Sequence, residues 1–284
     1  MTQLFKQASK QASKQASKFS VTLPFVAAIV FPQIGSAAVI FSDDFNAGTP
    51  GANLNGSAVQ YSSVGTKTWS SHSVYQGGAN TFATNSGNGY IAPSSGHSSQ
   101  QASIATTLGQ DTYTMSAQFL PIGSSGDLRL GFWGTDNSSY LWQPGKTILS
   151  LSITAAGGWN LTGANNGQTS NNTFILGSNG SVFNLASYSQ ATAPVVSLSW
   201  DTVNNTVTGQ FDNTVLFSNF NLGNTISSNW VNYVGFGRDE NLANGALVDN
   251  FSFSNSAAVP VPAAAWLFGS GLLGLLGLKR QRQV

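Results

Sequence analysis

The 284-residue chain has no cysteine, two histidines and one glutamate, and only 7% of its residues are charged. Without cysteine there is no disulfide framework, so stability must come from a hydrophobic core alone. The histidines, His72 and His97, fall in Ser-rich stretches with no Cys, Asp or Glu at ligand spacing. They offer neither a zinc site nor a Ser-His-Asp arrangement. No Gly-rich loop follows a strand and opens a helix, which removes the usual phosphate cradle and with it nucleotide binding. Also missing is any segment with a 3.6-residue apolar period, and this argues against amphipathic helices.

What the chain does have is alternation. Tyr113, Met115, Ala117 and Phe119 share one face while Thr112, Thr114, Ser116 and Gln118 take the other; Val196, Leu198 and Trp200 oppose Ser197 and Ser199; Leu149, Leu151 and Ile153 oppose Ser150 and Ser152. A period of two with one polar face means antiparallel sheets packed on one side. Turn chemistry separates these runs, as at Gly157-Gly158, Asn204-Asn205 and Asp212-Asn213. The reading is an all-β fold, an antiparallel β-sandwich of jelly-roll type over residues 38–254, with a dozen or more short strands. The Ser-, Gly- and Asn-rich stretch Ser62–Gly109 reads as long loops.

The two ends read as addresses. Four lysines (Lys6, Lys10, Lys14, Lys18) precede an apolar run from Phe19 to Phe31, and Gly35-Ser36-Ala37-Ala38 supplies small residues for cleavage. This is the layout of a secretory signal peptide over residues 1–37. A short linker, 255–258, leads to Val259-Pro260-Val261-Pro262, an apolar run 263–278 and a basic end with Lys279, Arg280 and Arg282. At ~1.5 Å per residue that run spans about 24 Å, a short transmembrane helix. Between the ends lie four cations and ten acids, a net charge of −6. Basic termini around an acidic body follow the positive-inside asymmetry, and an acidic body argues against nucleic acid as a partner.

The order Val-Pro-Val-Pro, apolar helix with Trp266-Leu267-Phe268-Gly269-Ser270-Gly271, then basic tail resembles the PEP-CTERM sorting signal of exopolysaccharide-producing Gram-negative bacteria. Val261 stands where the name-giving pattern has Glu. The resemblance covers residues 259–284 and implies an exosortase as processing partner, transient residence in the inner membrane, cleavage near the prolines, and delivery to the cell surface or extracellular matrix. In the body, the meander Val195–Asp201, Thr206–Asp212, Thr214–Phe220 and the Tyr-Val-Gly-Phe-Gly of Val231–Gly237 resemble hairpins and late strands of concanavalin A-like and laminin G-like jelly rolls.

Three constellations in the body could carry chemistry. Phe41, Asp43 and Phe45 share parity in the first strand, and Leu247, Asp249, Phe251 and Phe253 in the last. If those strands are neighbours, Asp43 or Asp44 meets Asp249, either as a structural Ca²⁺ site or as strand-end carboxylates bonded to turn amides. Trp133, Tyr140 and Trp142 form an aromatic cluster with amide neighbours suited to stacking on sugars, and Trp133 has opposite parity to Leu130 and Phe132, which would expose it. Alternatively Trp69, Trp133, Trp142, Trp159, Trp200 and Trp230 fill the core. The polar segment Arg238-Asp239-Glu240-Asn241 is a binding loop or a solvated connection. No strand carries two alternating acids, so a glycosidase pair is not visible. The expectation is an exported, non-enzymatic envelope or matrix protein that associates with extracellular polysaccharide; a glycan-degrading enzyme and a purely structural matrix or adhesin subunit are the alternatives.

Overall fold

A computed structural model describes residues 37–49, 51–73, 82–84, 91–93, 100–121, 126–134, 147–164, 173–180, 182–238 and 246–256. Apart from Ala37, both terminal segments read as sorting signals lie outside them. Among the described residues no helix is long and apolar enough to cross a membrane.

The described strands are β1 (Ala38–Asp43), β2 (Tyr61–Ser62), β3 (Ser70–Ser73), β4 (Phe82–Thr84), β5 (Ile91–Pro93), β6 (Gln100–Ala105), β7 (Thr112–Leu120), β8 (Asp127–Trp133), β9 (Thr147–Thr154), β10 (Trp159–Ala164), β11 (Thr173–Asn179), β12 (Val195–Asp201), β13 (Thr206–Phe211), β14 (Thr214–Asn221), β15 (Tyr233–Arg238) and β16 (Leu247–Asn255). They form two antiparallel sheets. One has nine strands, with β14-β13-β12-β7-β16-β1-β2 side by side and β5 and β4 added beyond β16; the other has seven, in the order β11-β10-β9-β8-β15-β6-β3. The Ser62–Gly109 stretch is therefore not all loop. It supplies β3 to β6, whose three to six residues are too short and too polar for alternation to show.

Alternation builds the interface between the sheets. Met115, Ala117 and Phe119 on β7 and Val196, Leu198 and Trp200 on β12 point inward from the larger sheet, and Leu130, Phe132, Leu149, Leu151 and Ile153 meet them from the smaller. Phe132 and Trp200 close edge to face at 5.1 Å between centroids, linking the sheets directly. A second aromatic knot gathers Trp69, Phe236 and Phe251, with Trp69 lying 5.2 Å and 5.3 Å from the two phenyl rings. Each fully buried ring contributes about 2–3 kcal/mol through area alone, so these knots replace the absent disulfides.

Chain entry and exit are adjacent because the first and last strands pair: Ala38 stands opposite Asn255, Phe41 opposite Phe253 and Asp43 opposite Phe251. On its other side β16 pairs with β7, and there the register slips between Asp249 and Ser252, with Asn250 at φ +50°. That bulge flips parity along β16. Val248, not Leu247 or Asp249, joins Phe251 and Phe253 in the main core, while Leu247 packs with Leu120 and Ala193 in a small separate cluster.

Candidate functional sites

The first and last strands bring the three expected aspartates together. Asp43 points inward as its parity requires and is 6% exposed. Its Oδ2 accepts the indole N–H of buried Trp69 at 2.7 Å and its Oδ1 the backbone N–H of Phe45 at 2.8 Å. Asp44 turns outward and accepts from Asn46 N–H and the Gln60 side chain, both at 3.0 Å. Asp249, at the bulge, accepts the N–H of Asn250 at 2.7 Å. Burial, the dominant influence, and then the nearby charges of Asp44 and Asp43 push the Asp249 carboxyl up to about 6 despite that bond. Burial likewise raises Asp43, opposed by its bonds to Trp69 and Phe45. Asp44 is only slightly desolvated, and its bonds from Asn46 and Gln60 hold it below the ordinary carboxylate value.

These carboxylates therefore serve the fold through turn amides and a tryptophan N–H. No group of three or more His, Cys, Asp or Glu among the described residues is arranged to hold a metal ion. His72 lies on β3 at the edge of the smaller sheet.

The aromatic cluster comes out differently from its sequence reading. Tyr140 and Trp142 lie outside the described residues, as do Asp239, Glu240 and Asn241. Trp133 does stand on the outer side of the smaller sheet, opposite in parity to Phe132, yet it is fully buried. Its indole leans back across Gly131, where an added Cβ would sit 2.6 Å from the ring. The open aromatic platform expected at Trp133 is absent. Arg238 is also buried and donates through Nε to Gln100 Oε1 at 2.9 Å, so the segment it opens starts inside the sandwich.

Among the described residues the exposed tryptophan is Trp230, 42% exposed, on the 3₁₀ turn Ser228–Trp230 that precedes β15. Its setting is built by local bonds. Leu222 and Ile226 are buried and pin the loop after β14. Asn205, held at φ +51° in the β12–β13 turn, donates to the carbonyls of Gly223 and Ile226 and accepts the N–H of Trp200 at 3.0 Å. Ser227 caps the turn by accepting from Asn229 N–H at 3.3 Å.

Two clefts are lined in part by residues close to Trp230 in the chain. One, of about 380 Å³, is lined by groups including Gln110, Thr202, Asn205, Asn224, Ser228 and Asn229. The other, of about 500 Å³, is lined by Lys67, Thr106, Thr107, Gly134, Asn232 and Tyr233 among others. Among the described residues, neither lining contains an aspartate or glutamate. Trp230 itself lines neither cleft; its exposed indole can stack on a sugar ring, and the amides, hydroxyls and one ammonium of the clefts can exchange hydrogen bonds with sugar hydroxyls.

This end of the sandwich is also where the last strand leaves. Asp111 accepts from Asn255 Nδ2 at 2.9 Å and Ser256 Oγ at 2.8 Å, and its own N–H reaches Thr202 Oγ1 at 2.9 Å. Thr202 lines the first cleft and in turn donates to Gly109 O at 2.7 Å.

Trp230 was missed as a site because every tryptophan looks like core by composition. A signal was nevertheless present: its i±2 neighbours are Ser228 and Asn232, whereas Trp200 is preceded at that spacing by Leu198.

No protein-family model and no curated protein sequence matches the chain. Among solved structures, a protein of unknown function with a galectin-like fold from Bacillus subtilis is similar at 11% identity and TM-score 0.44, over 66% of this chain and 88% of that one. The exoplasmic/lumenal domain of VIP36 in its metal-free form is similar at 8% identity and TM-score 0.47, over 77% and 93%. A lectin from Bauhinia forficata in complex with GalNAc is similar at 10% identity and TM-score 0.40, over 72% and 96%. At such scores the likeness is one of general outline and assigns no ligand to this chain.

Proposed function

We propose that the chain is an exported envelope protein whose β-sandwich associates with extracellular polysaccharide through the Trp230 end. The observation that carries this reading is the exposed indole of Trp230, on a turn whose chain neighbours Ser228, Asn229, Asn232 and Tyr233 line two clefts in which no described residue is a carboxylate. Acyclic and cyclic polyols are recognised by such mixtures of ring face and amide, while glycoside hydrolysis needs a pair of carboxyls across the scissile bond. The arrangement favours retention of a polymer over its cleavage.

Export and sorting rest on the terminal segments: a signal peptide at 1–37 and the Val-Pro-Val-Pro, apolar and basic segments of 259–284. In this reading an exosortase processes the tail at the inner membrane and the body reaches the cell surface or matrix. The acidic body, with ten acids and four cations between the terminal segments, adds repulsion from nucleic acid and anionic membrane surfaces.

A glycan microarray probed with the full chain purified from envelope fractions tests the binding. Saturable signal on a subset of glycans that falls at least tenfold in Trp230→Ala is the expected result. Absence of signal on every glycan, with the protein folded, leaves the matrix-subunit alternative standing. Ca²⁺ is retained in the proposal only as an ion that could offset repulsion between Asp249 and Asp44; a melting temperature unmoved by chelator and by millimolar Ca²⁺ removes it.

A further inference from the structure

The chain leaves the sandwich at the end that carries Trp230. In the larger sheet Asn255, the last residue of β16, stands opposite Tyr113 at the start of β7, and Asp201, the last of β12, stands opposite Thr112. Over the same rim Leu222 donates its N–H to Asn205 O at 3.0 Å and Asn205 donates to Ile226 O, which brings the turn Ser228–Trp230 to this end. Ser256 is tied here as well, by its N–H to Thr112 O at 2.9 Å and by its Oγ to Asp111 at 2.8 Å.

From Ser256 to the first residue of the apolar run, Ala263, the chain advances seven residues. Fully extended, they reach about 25 Å. To turn the Trp230 end away from a bilayer that holds the run, the tail would have to pass back along the sandwich. The nine residues of β7 alone extend about 30 Å, and a headgroup layer adds about 5–8 Å. The tether is shorter than that path, so it keeps the Trp230 end on the bilayer side.

The surface at this end suits such a neighbour. Trp230 is 42% exposed, and Val203 in the β12–β13 turn is 63% exposed. An indole with an apolar body and a polar N–H is at home in the headgroup layer. Charge is distributed to match. Asp43, Asp44, Asp127, Asp212 and Asp249 lie toward the opposite end, beside the start of β8, the end of β13 and the start of β16. At the exit end Asp111 is engaged with Asn255 and Ser256, Asp201 with Val203 and Asn204, and Lys67 lines the neighbouring cleft. Repulsion from anionic lipid therefore falls mainly on the far end.

We infer that, while residues 263–278 are embedded, the Trp230 end rests on the bilayer and is withheld from polymer. This sets when the proposed polysaccharide surface is available, and it rests on the anchoring and binding readings above.

The absence of cysteine allows single labels to be placed on the full chain. Val203→Cys and Asn213→Cys, at opposite ends of the β12–β14 meander, would each carry a fluorophore in vesicles of phosphatidylethanolamine and phosphatidylglycerol with a headgroup-nitroxide lipid. Quenching at least threefold stronger at 203 than at 213 is expected. A Gly/Ser spacer of about 30 residues between Ala258 and Val259, with a root-mean-square reach of about 30 Å, should remove that difference. The same spacer should raise capture of the unlabelled vesicles by beads coated with the extracellular polymer of the producing cells at least tenfold. Equal quenching at both positions, or equal capture with and without the spacer, overturns the inference. No capture of either form, with the quenching difference intact, removes the polysaccharide reading and supports the contact with lipid. A chain that fails to float with the vesicles removes the anchoring reading and the inference with it.

Discussion

The two sheets carry similar polar residues on their outer sides and bury them to different degrees. On the nine-stranded sheet Thr114, Ser116, Ser197 and Ser199 are half-buried, Thr114 and Ser199 pair at 2.8 Å, and the bulged Asn250 donates to Gln118 at 2.7 Å. On the seven-stranded sheet Ser103, Ser150 and Ser152 are buried, and Ser150 shares its isolation with the indole of Trp133. Buried tryptophans follow the same division, since Trp69 meets Asp43 of β1 and Trp200, on β12, meets Asn205, while Trp133 on β8 finds nothing. The larger sheet spends its polar groups on holding itself together. The smaller one also pairs Gln101 with Ser103 and Arg238 with Gln100, and leaves Trp133 Nε1 and Ser150 Oγ as exceptions.

The most disruptive way to break this contrast is Asp43→Leu. It strands the N–H groups of Trp69 and Phe45 in the core, each costing about 1–3 kcal/mol. Loss of roughly 3 kcal/mol in urea unfolding at pH 7 is expected, offset in small part by relief of the Asp249 repulsion; a neutral result would mean that the Asp43–Trp69 bond is incidental.

Gly131→Ala should come next, because a methyl group there collides with the Trp133 ring at 2.6 Å. Displacing an indole from a packed position costs about 1–3 kcal/mol. A matching change in the near-ultraviolet circular dichroism would place the disturbance at the aromatic residue.

Acidity acts on the first and last strands of the larger sheet. Asp249, pushed up to about 6, and Asp43, also raised, bind protons in the folded chain that the unfolded chain does not hold at the same pH. Stability therefore rises as pH falls from about 7 to about 5. Asp44 and Asp201 are held low by their hydrogen bonds and reverse the trend only at lower pH, where they must be protonated. A melting temperature that peaks near pH 5 is expected, and Asp249→Asn should raise it at pH 7 and flatten the slope above 5. Steady loss of stability from pH 7 to 5 contradicts the assignment.

The smallest effect on stability belongs to Trp133→Phe. The change deletes an N–H with no partner and leaves most of the ring, so the melting temperature should hold or rise slightly. A marked fall would show that the indole N–H is engaged.

Much of the fold could be read from period-two patterns. β7, β12, β13 and β14 lie where alternation and Asx turns placed them, and the adjacency of the first and last strands followed from the way sandwiches close. Parity also put Asp43 inside correctly. It put Asp249 on the apolar side unless a bulge intervened, and a bulge with Asn250 in the left-handed region, which leaves no period of its own in the sequence, does intervene. It failed for Ser150 and Ser152, whose polar side was read as solvated although both are buried, since alternation tells which residues share a side and not what lies over it. Trp133 shows the same limit: its side of the sheet was right and its exposure wrong. Trp230, in an Asn- and Ser-rich loop outside any alternating run, carried the exposure instead.

Co-sedimentation of the full chain with the extracellular polymer of the cells that make it tests the central claim most directly. The account predicts saturable pelleting of the wild type at neutral pH and retention of Trp230→Ala in the supernatant. Equal pelleting of both proteins, or of neither, would contradict it.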